Sequence, residues 1–171
     1  EGNGVPADGD LWVSYSVNKE DMWISRIPVP VEINASAHAD DDFSKNKSIA
    51  ELTDWNIYSP VWAPVSLEDQ WLKLQDKDPF DYAKVERKIP ASKELKVSFD
   101  LKAGQNNKGT LQIEFLDENG IACSRMELTD DGIFRLKGGS RFANMMKYEA
   151  GKVYHVEAVL STVDRNIQVY V

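Results

Sequence analysis

The most regular stretch of the chain is Glu94-Leu95-Lys96-Val97-Ser98-Phe99-Asp100-Leu101. Leu95, Val97, Phe99 and Leu101 alternate with Lys96, Ser98 and Asp100. A strand points successive side chains to opposite faces, so this run predicts a strand with one apolar face and one wet face. Leu111, Ile113 and Phe115 repeat the pattern, as do Tyr154, Val156, Ala158 and Leu160, and then Ile167, Val169 and Val171. The intervals carry turn chemistry: Gly104 to Gly109, Asn119-Gly120, Asp130-Asp131-Gly132, Gly138-Gly139 and Gly151. Asn-Gly and Asp-Gly suit tight hairpins because they tolerate positive φ. Short alternating runs separated by such turns predict an all-β fold, a two-sheet antiparallel sandwich of jelly-roll type over residues 54–171.

The first third reads differently. Leu11 to Ser16 and Met22 to Ile27 look like two strands joined by Val17 to Asp21, a short N-terminal β-hairpin. Pro28 and Pro30 then lead away as an extended connector, since proline blocks helix and central-strand pairing. Residues 32–53 read as a polar linker containing Asp40-Asp41-Asp42, with one helical turn predicted at Ser48 to Thr53. The predicted organisation is a hairpin and connector (1–31), a linker (32–53) and the sandwich (54–171).

Composition excludes several classes. The formal charge of −8 repels phosphate backbones, so a nucleic-acid partner is not expected. Lys84, Arg87 and Lys88 form one modest basic group, better read as a solvated strand face. No apolar run approaches the ~20 residues needed to span a bilayer as a helix. With one cysteine, Cys123, a disulfide framework within the chain is impossible; its apolar-rich setting predicts a buried, inert thiol.

Two stretches carry a family resemblance. Asp10 to Val31 (DLWVSYSVNKEDMWISRIPVPV) resembles the closing segment of sialidase-like (BNR-repeat) β-propeller proteins of Bacteroides-type bacteria. Glu149 to Leu160, with Asp164 and Ile167 to Val171, is similar to the Gly-x-Trp/Tyr-His-Val … Asp … Val-Tyr-Val pattern of concanavalin-like and laminin-G-like jelly rolls. The aromatic of that pattern stands one place later here, at Tyr154, and its Asn-Gly after Val171 is missing. These resemblances imply a secreted, periplasmic or cell-surface setting and a carbohydrate context. They also imply an upstream propeller as partner and a chain that is a fragment of a larger glycan-processing protein.

Candidate sites follow from chemistry. Trp55, Tyr58 and Trp62 are the best ligand-binding candidates, because flat aromatic rings bury the apolar C–H faces of sugars. Trp71 belongs to the same run but reads as core, and core or interface packing competes for the other three. Asp76, Asp78 and Asp81 cluster within a turn and could offer hard oxygen ligands to a structural calcium. The rival is a solvated turn around a buried Phe80. No other cofactor is implied. For catalysis, no serine elbow, phosphate loop or paired-histidine zinc motif occurs, and no carboxylate pair stands out among 28 acidic residues. His155 faces solvent or a polar neighbour on its strand, and His38 lies in the connector. No catalytic residue is assigned.

Three functions therefore stand: an accessory carbohydrate-associated module with glycan binding, a structural spacer on the propeller, or part of a glycoside hydrolase or polysaccharide lyase whose active site lies mostly upstream.

Overall fold

The computed structural model describes residues 10–17, 21–28 and 38–171. The predicted connector around Pro30 lies outside them. The chain divides into two compact units, Glu1–Pro90 and Ala91–Val171.

In the first unit, β1 (Asp10–Val17) and β2 (Asp21–Pro28) form the expected antiparallel hairpin, in register from Asp10↔Pro28 to Val17↔Asp21. Two 3-10 turns follow, Phe43–Lys45 and Ile49–Glu51. Asp42 caps the first: its carboxylate accepts from the Ser44 N–H at 3.0 Å. β3 (Trp55–Tyr58) pairs antiparallel with β6 (Lys84–Arg87), and β4 (Val65–Glu68) pairs with β5 (Trp71–Leu74). The β4–β5 turn is Asp69-Gln70, both with positive φ, a turn geometry that normally recruits asparagine or glycine.

The second unit is the sandwich. β7 (Glu94–Lys102), β12 (Val153–Ser161) and β13 (Asn166–Tyr170) make a three-stranded sheet in the order β13-β12-β7. β8 (Leu111–Leu116), β9 (Ala122–Leu128), β10 (Ile133–Gly138) and β11 (Arg141–Lys147) make a four-stranded meander. Every pairing is antiparallel. The decisive 94–101 run lies in β7, which pairs with β12 along its whole length, from Lys102↔Val153 to Glu94↔Ser161. Its alternation is observed: residues 95, 97, 99 and 101 turn inward while their neighbours are exposed.

The inner faces share one core. Met126, Leu128 and Phe134 of the meander meet Tyr154 and Val156 of β12, with Tyr148 from the connection; Phe99, Leu101, Ile113, Phe115 and Val169 pack around them. The buried tyrosines also satisfy polar groups. Tyr148 donates its hydroxyl to the Thr129 carbonyl at 2.7 Å, and the Tyr154 hydroxyl accepts from the Glu149 N–H at 2.9 Å. The β9–β10 turn closes through the Ile133 N–H, which donates to Thr129 Oγ1 at 3.1 Å, and through Gly132 at φ +77°. A side chain there would meet nothing closer than 3.5 Å, so the constraint is the backbone angle. Gly132→Ala is expected to cost about 1–2 kcal/mol, the penalty of a left-handed L-residue, read as a lower urea midpoint.

Two sequence expectations about single side chains are corrected. Cys123 is exposed rather than buried. β9 begins on the rim of the sheet, and the thiol there donates to the Phe115 carbonyl at 3.0 Å. Phe80 is 96 % exposed rather than buried, because its loop spends its polar groups on its own backbone. His155 does face a polar neighbour, with Nδ1 2.8 Å from Asp100 Oδ1 on the outer surface. Among the described residues no helix is long and apolar enough to cross a membrane.

Candidate functional site

β3 and β6 build the most developed surface site of the first unit. In β3, Asn56 and Tyr58 are exposed while Trp55 and Ile57 are half-buried. The register sets Tyr58 opposite Lys84 and Asn56 opposite Glu86, so these four share one face. Tyr82, two residues before Lys84, continues it. These groups, with Ile57, line an open depression of about 270 Å³.

Asp81 organises the aromatic end. The Tyr58 hydroxyl donates to Asp81 Oδ2 at 3.0 Å, and Oδ1 accepts from the Tyr82 N–H at 2.9 Å. The two rings stand 5.7 Å apart, tilted by 54°. Tyr58 is 48 % and Tyr82 58 % exposed, so both offer ring surface to solvent. The Tyr58 hydroxyl is held above the usual phenol range, first by its hydrogen bond to Asp81, then by desolvation and by nearby negative charge. It is therefore a neutral donor at physiological pH.

The other end is polar. Lys84 Nζ lies 2.6 Å from Glu86 Oε1. Bonding to Lys84 holds the Glu86 carboxyl below the usual range, against a desolvation penalty and with further help from Asn56 and Lys88. The face thus combines two tilted rings with an amide, an ammonium and a carboxylate. That mixture can bury an apolar ring face while exchanging hydrogen bonds with hydroxyls around it. It holds no nucleophile–base pair.

The residues singled out in the sequence separate as follows. Tyr58 and Asp81 come together directly. Trp62 is 66 % exposed on the Ser59–Pro64 loop, which is tied to the acidic loop by the Lys77 N–H donating to the Trp62 carbonyl at 2.9 Å. Trp55 turns to the opposite face of β3, where its ring lies 5.7 Å from Phe43. Trp71 is half-buried. Arg87 also faces away from the depression, held by Asp41 at 2.9 Å and Asp54 at 3.3 Å.

Asp76, Asp78 and Asp81 each answer backbone or side-chain donors. Asp76 Oδ1 accepts from the Asp78 N–H and Asp78 Oδ1 from the Phe80 N–H, both at 2.9 Å. Among the described residues no group of three His, Cys, Asp or Glu side chains is placed to hold a metal ion. As arranged, the three carboxylates do not fit a calcium cage, which needs six to eight converging oxygens. Tyr82, Asn56, Lys84 and Glu86 were not anticipated as site residues. For Tyr82, Lys84 and Glu86 the signal was their alternation, which places them on one face; Asn56 alternates with Tyr58 on β3 and joins them through the β3–β6 register.

Comparison with known proteins gives this surface a context. The family model described as "Sialidase-like, CBM domain" matches residues 55–171. The chain belongs to this carbohydrate-binding-module family. The sialidase-like CBM region runs from β3 through β13, so it includes the Tyr58–Tyr82 face as well as the sandwich. A solved structure named "Sialidase" superposes on 99 % of this chain with a TM-score of 0.84 and 90 % sequence identity. The chain spans about 16 % of that sialidase's length. A search of curated proteins found no match.

Proposed function

We propose that the chain is the accessory glycan-binding module of a larger sialidase-type protein, and that the Tyr58–Tyr82 face holds the sugar. The observation that carries this reading is the tilted pair of exposed tyrosines, with the Tyr58 hydroxyl and the Tyr82 backbone N–H on one carboxylate, beside Asn56, Lys84 and Glu86. Solvent-facing aromatic rings are costly to leave bare, and pyranose C–H faces complement them. Membership of the sialidase-like CBM family supports the same ligand class.

Isothermal titration against a glycan panel tests the proposal. Tyr82→Ala, which removes an exposed ring and leaves the Asp81 carboxylate bonded to the residue-82 N–H, is expected to weaken binding tenfold or more. That corresponds to about 1.4 kcal/mol. The urea midpoint should stay within about 0.5 kcal/mol of the parent, as for other surface changes. Unchanged affinity in Tyr82→Ala would count against this face.

A structural role in the parent protein is favoured by a separate observation. Trp12, Met22 and Ile24 of the β1–β2 hairpin are exposed and share one face, an apolar set suited to packing against another domain. The resemblance of this hairpin to a propeller's closing segment makes an upstream propeller the proposed partner, with concanavalin-like wiring for the sandwich and a secreted, periplasmic or cell-surface location for the whole.

A further inference from the structure

We propose, resting on the glycan-face reading above, that this face takes a neutral pyranose and turns away sugars carrying a carboxylate or sulfate. The selectivity is electrostatic, because the cations around the face are engaged or turned away from it. Lys84 is committed to Glu86 at 2.6 Å. Arg87, the neighbouring guanidinium, is on the other face of the strand pair with Asp41 and Asp54. Lys88, beyond the end of β6, is outside the residues that line the depression. Against these, the loop Asp76 to Asp81 brings three carboxylates and one lysine, Lys77.

Asp81 accepts from the Tyr58 hydroxyl and from the Tyr82 backbone N–H, so a sugar stacked over the hydroxyl end of Tyr58 rests within a few ångströms of a fixed negative charge. Asp78 adds to the field: its charge, like that of Asp81, is felt at the Tyr58 hydroxyl. Recognising an anionic sugar ordinarily calls for an arginine fork or an uncommitted ammonium. The lined depression offers neither, but it does offer carboxylate and amide groups that accept and donate to hydroxyls. A second negative charge placed there meets repulsion that neighbouring cations do not cancel. The module would therefore grip the neutral part of a glycan, leaving any acidic terminal residue outside the face.

Matched ligand pairs test this on the 171-residue chain. The pairs are neutral oligosaccharides and their uronate counterparts, differing only in CH₂OH against COO⁻ at one ring, and sialylated against desialylated versions of one glycan. The neutral member is expected to bind at least about tenfold more tightly than the uronate at low ionic strength. The gap should narrow severalfold near 0.5 M salt and in Asp78→Asn, since screening or removing the carboxylate relieves the repulsion. Equal or tighter binding of the acidic members, still lost in Tyr82→Ala, would overturn the selectivity while leaving the glycan face intact. Failure of every sugar in both series to bind would overturn the face and the selectivity together.

Discussion

Met126→Ala is expected to lower the stability of the sandwich by about 2–5 kcal/mol. Met126 is 0 % exposed, on β9 of the four-stranded sheet, and packs into the cluster shared with Phe134, Tyr154 and Val156. Truncating it removes apolar burial and leaves a cavity that the close-packed surroundings fill only in part. Urea unfolding of the whole chain, followed by tryptophan-independent far-UV dichroism because all five tryptophans precede Ala91, reads the effect on the second unit. Ile121→Ala, at an exposed position just before β9, should change stability by no more than about 0.5 kcal/mol. Equal losses at the two sites would mean that the inner faces do not form one packed core.

The second large effect is expected at Glu127. Its side chain is buried although it stands on the outer face of the meander, because arginines fold over it. Arg135 donates through Nε at 2.8 Å and Nη2 at 2.7 Å to Oε2, a forked pair; Arg125 Nη1 and the Gln112 amide reach Oε1 at 3.5 and 3.3 Å. Arg125 also bonds Glu114 through Nε at 2.7 Å, and Arg135 lies 4.2 Å above the Phe142 ring. Removing one partner of a buried pair can cost 3–5 kcal/mol, yet both arginines keep access to water and can rehydrate. About 1–3 kcal/mol is therefore expected for Glu127→Ala. Glu127→Gln, which keeps the shape and two acceptor lone pairs but loses the charge, should cost less. A double-mutant cycle with Arg135→Ala measures the coupling; a coupling near zero would make the fork ornamental to stability.

The sandwich was legible because its strands are long and its sheets have one dry face. In β7 and β12 every inward residue is apolar, the outward ones are all polar in β7 and mostly polar in β12, and glycine marks most turns between strands of the second unit. The first unit hid more. Its strands after the hairpin are four residues long, too short to display a period, and the β4–β5 turn uses Asp69-Gln70 with no glycine to announce it. Phe80 illustrates another limit: an aromatic beside proline in a polar loop reads as an anchor, and only the fold shows it in solvent. Of the site, Tyr58 and the acidic loop were visible as separate features. Their junction depends on Asp81 reaching back across 23 residues to the Tyr58 hydroxyl, a contact set by the β3–β6 register rather than by local sequence. Trp55 parted from Tyr58 for a local reason: positions three apart on a strand face opposite ways.

The most direct measurement is an amide chemical-shift titration of the ¹⁵N-labelled chain with the tightest sugar from the panel. Saturable shifts are expected at Asn56 to Tyr58 and Asp81 to Glu86, with the outer and inner faces of the sandwich unmoved. Saturable shifts centred on residues of β7 to β13, with the Tyr58–Tyr82 segments silent, would contradict the glycan-face reading.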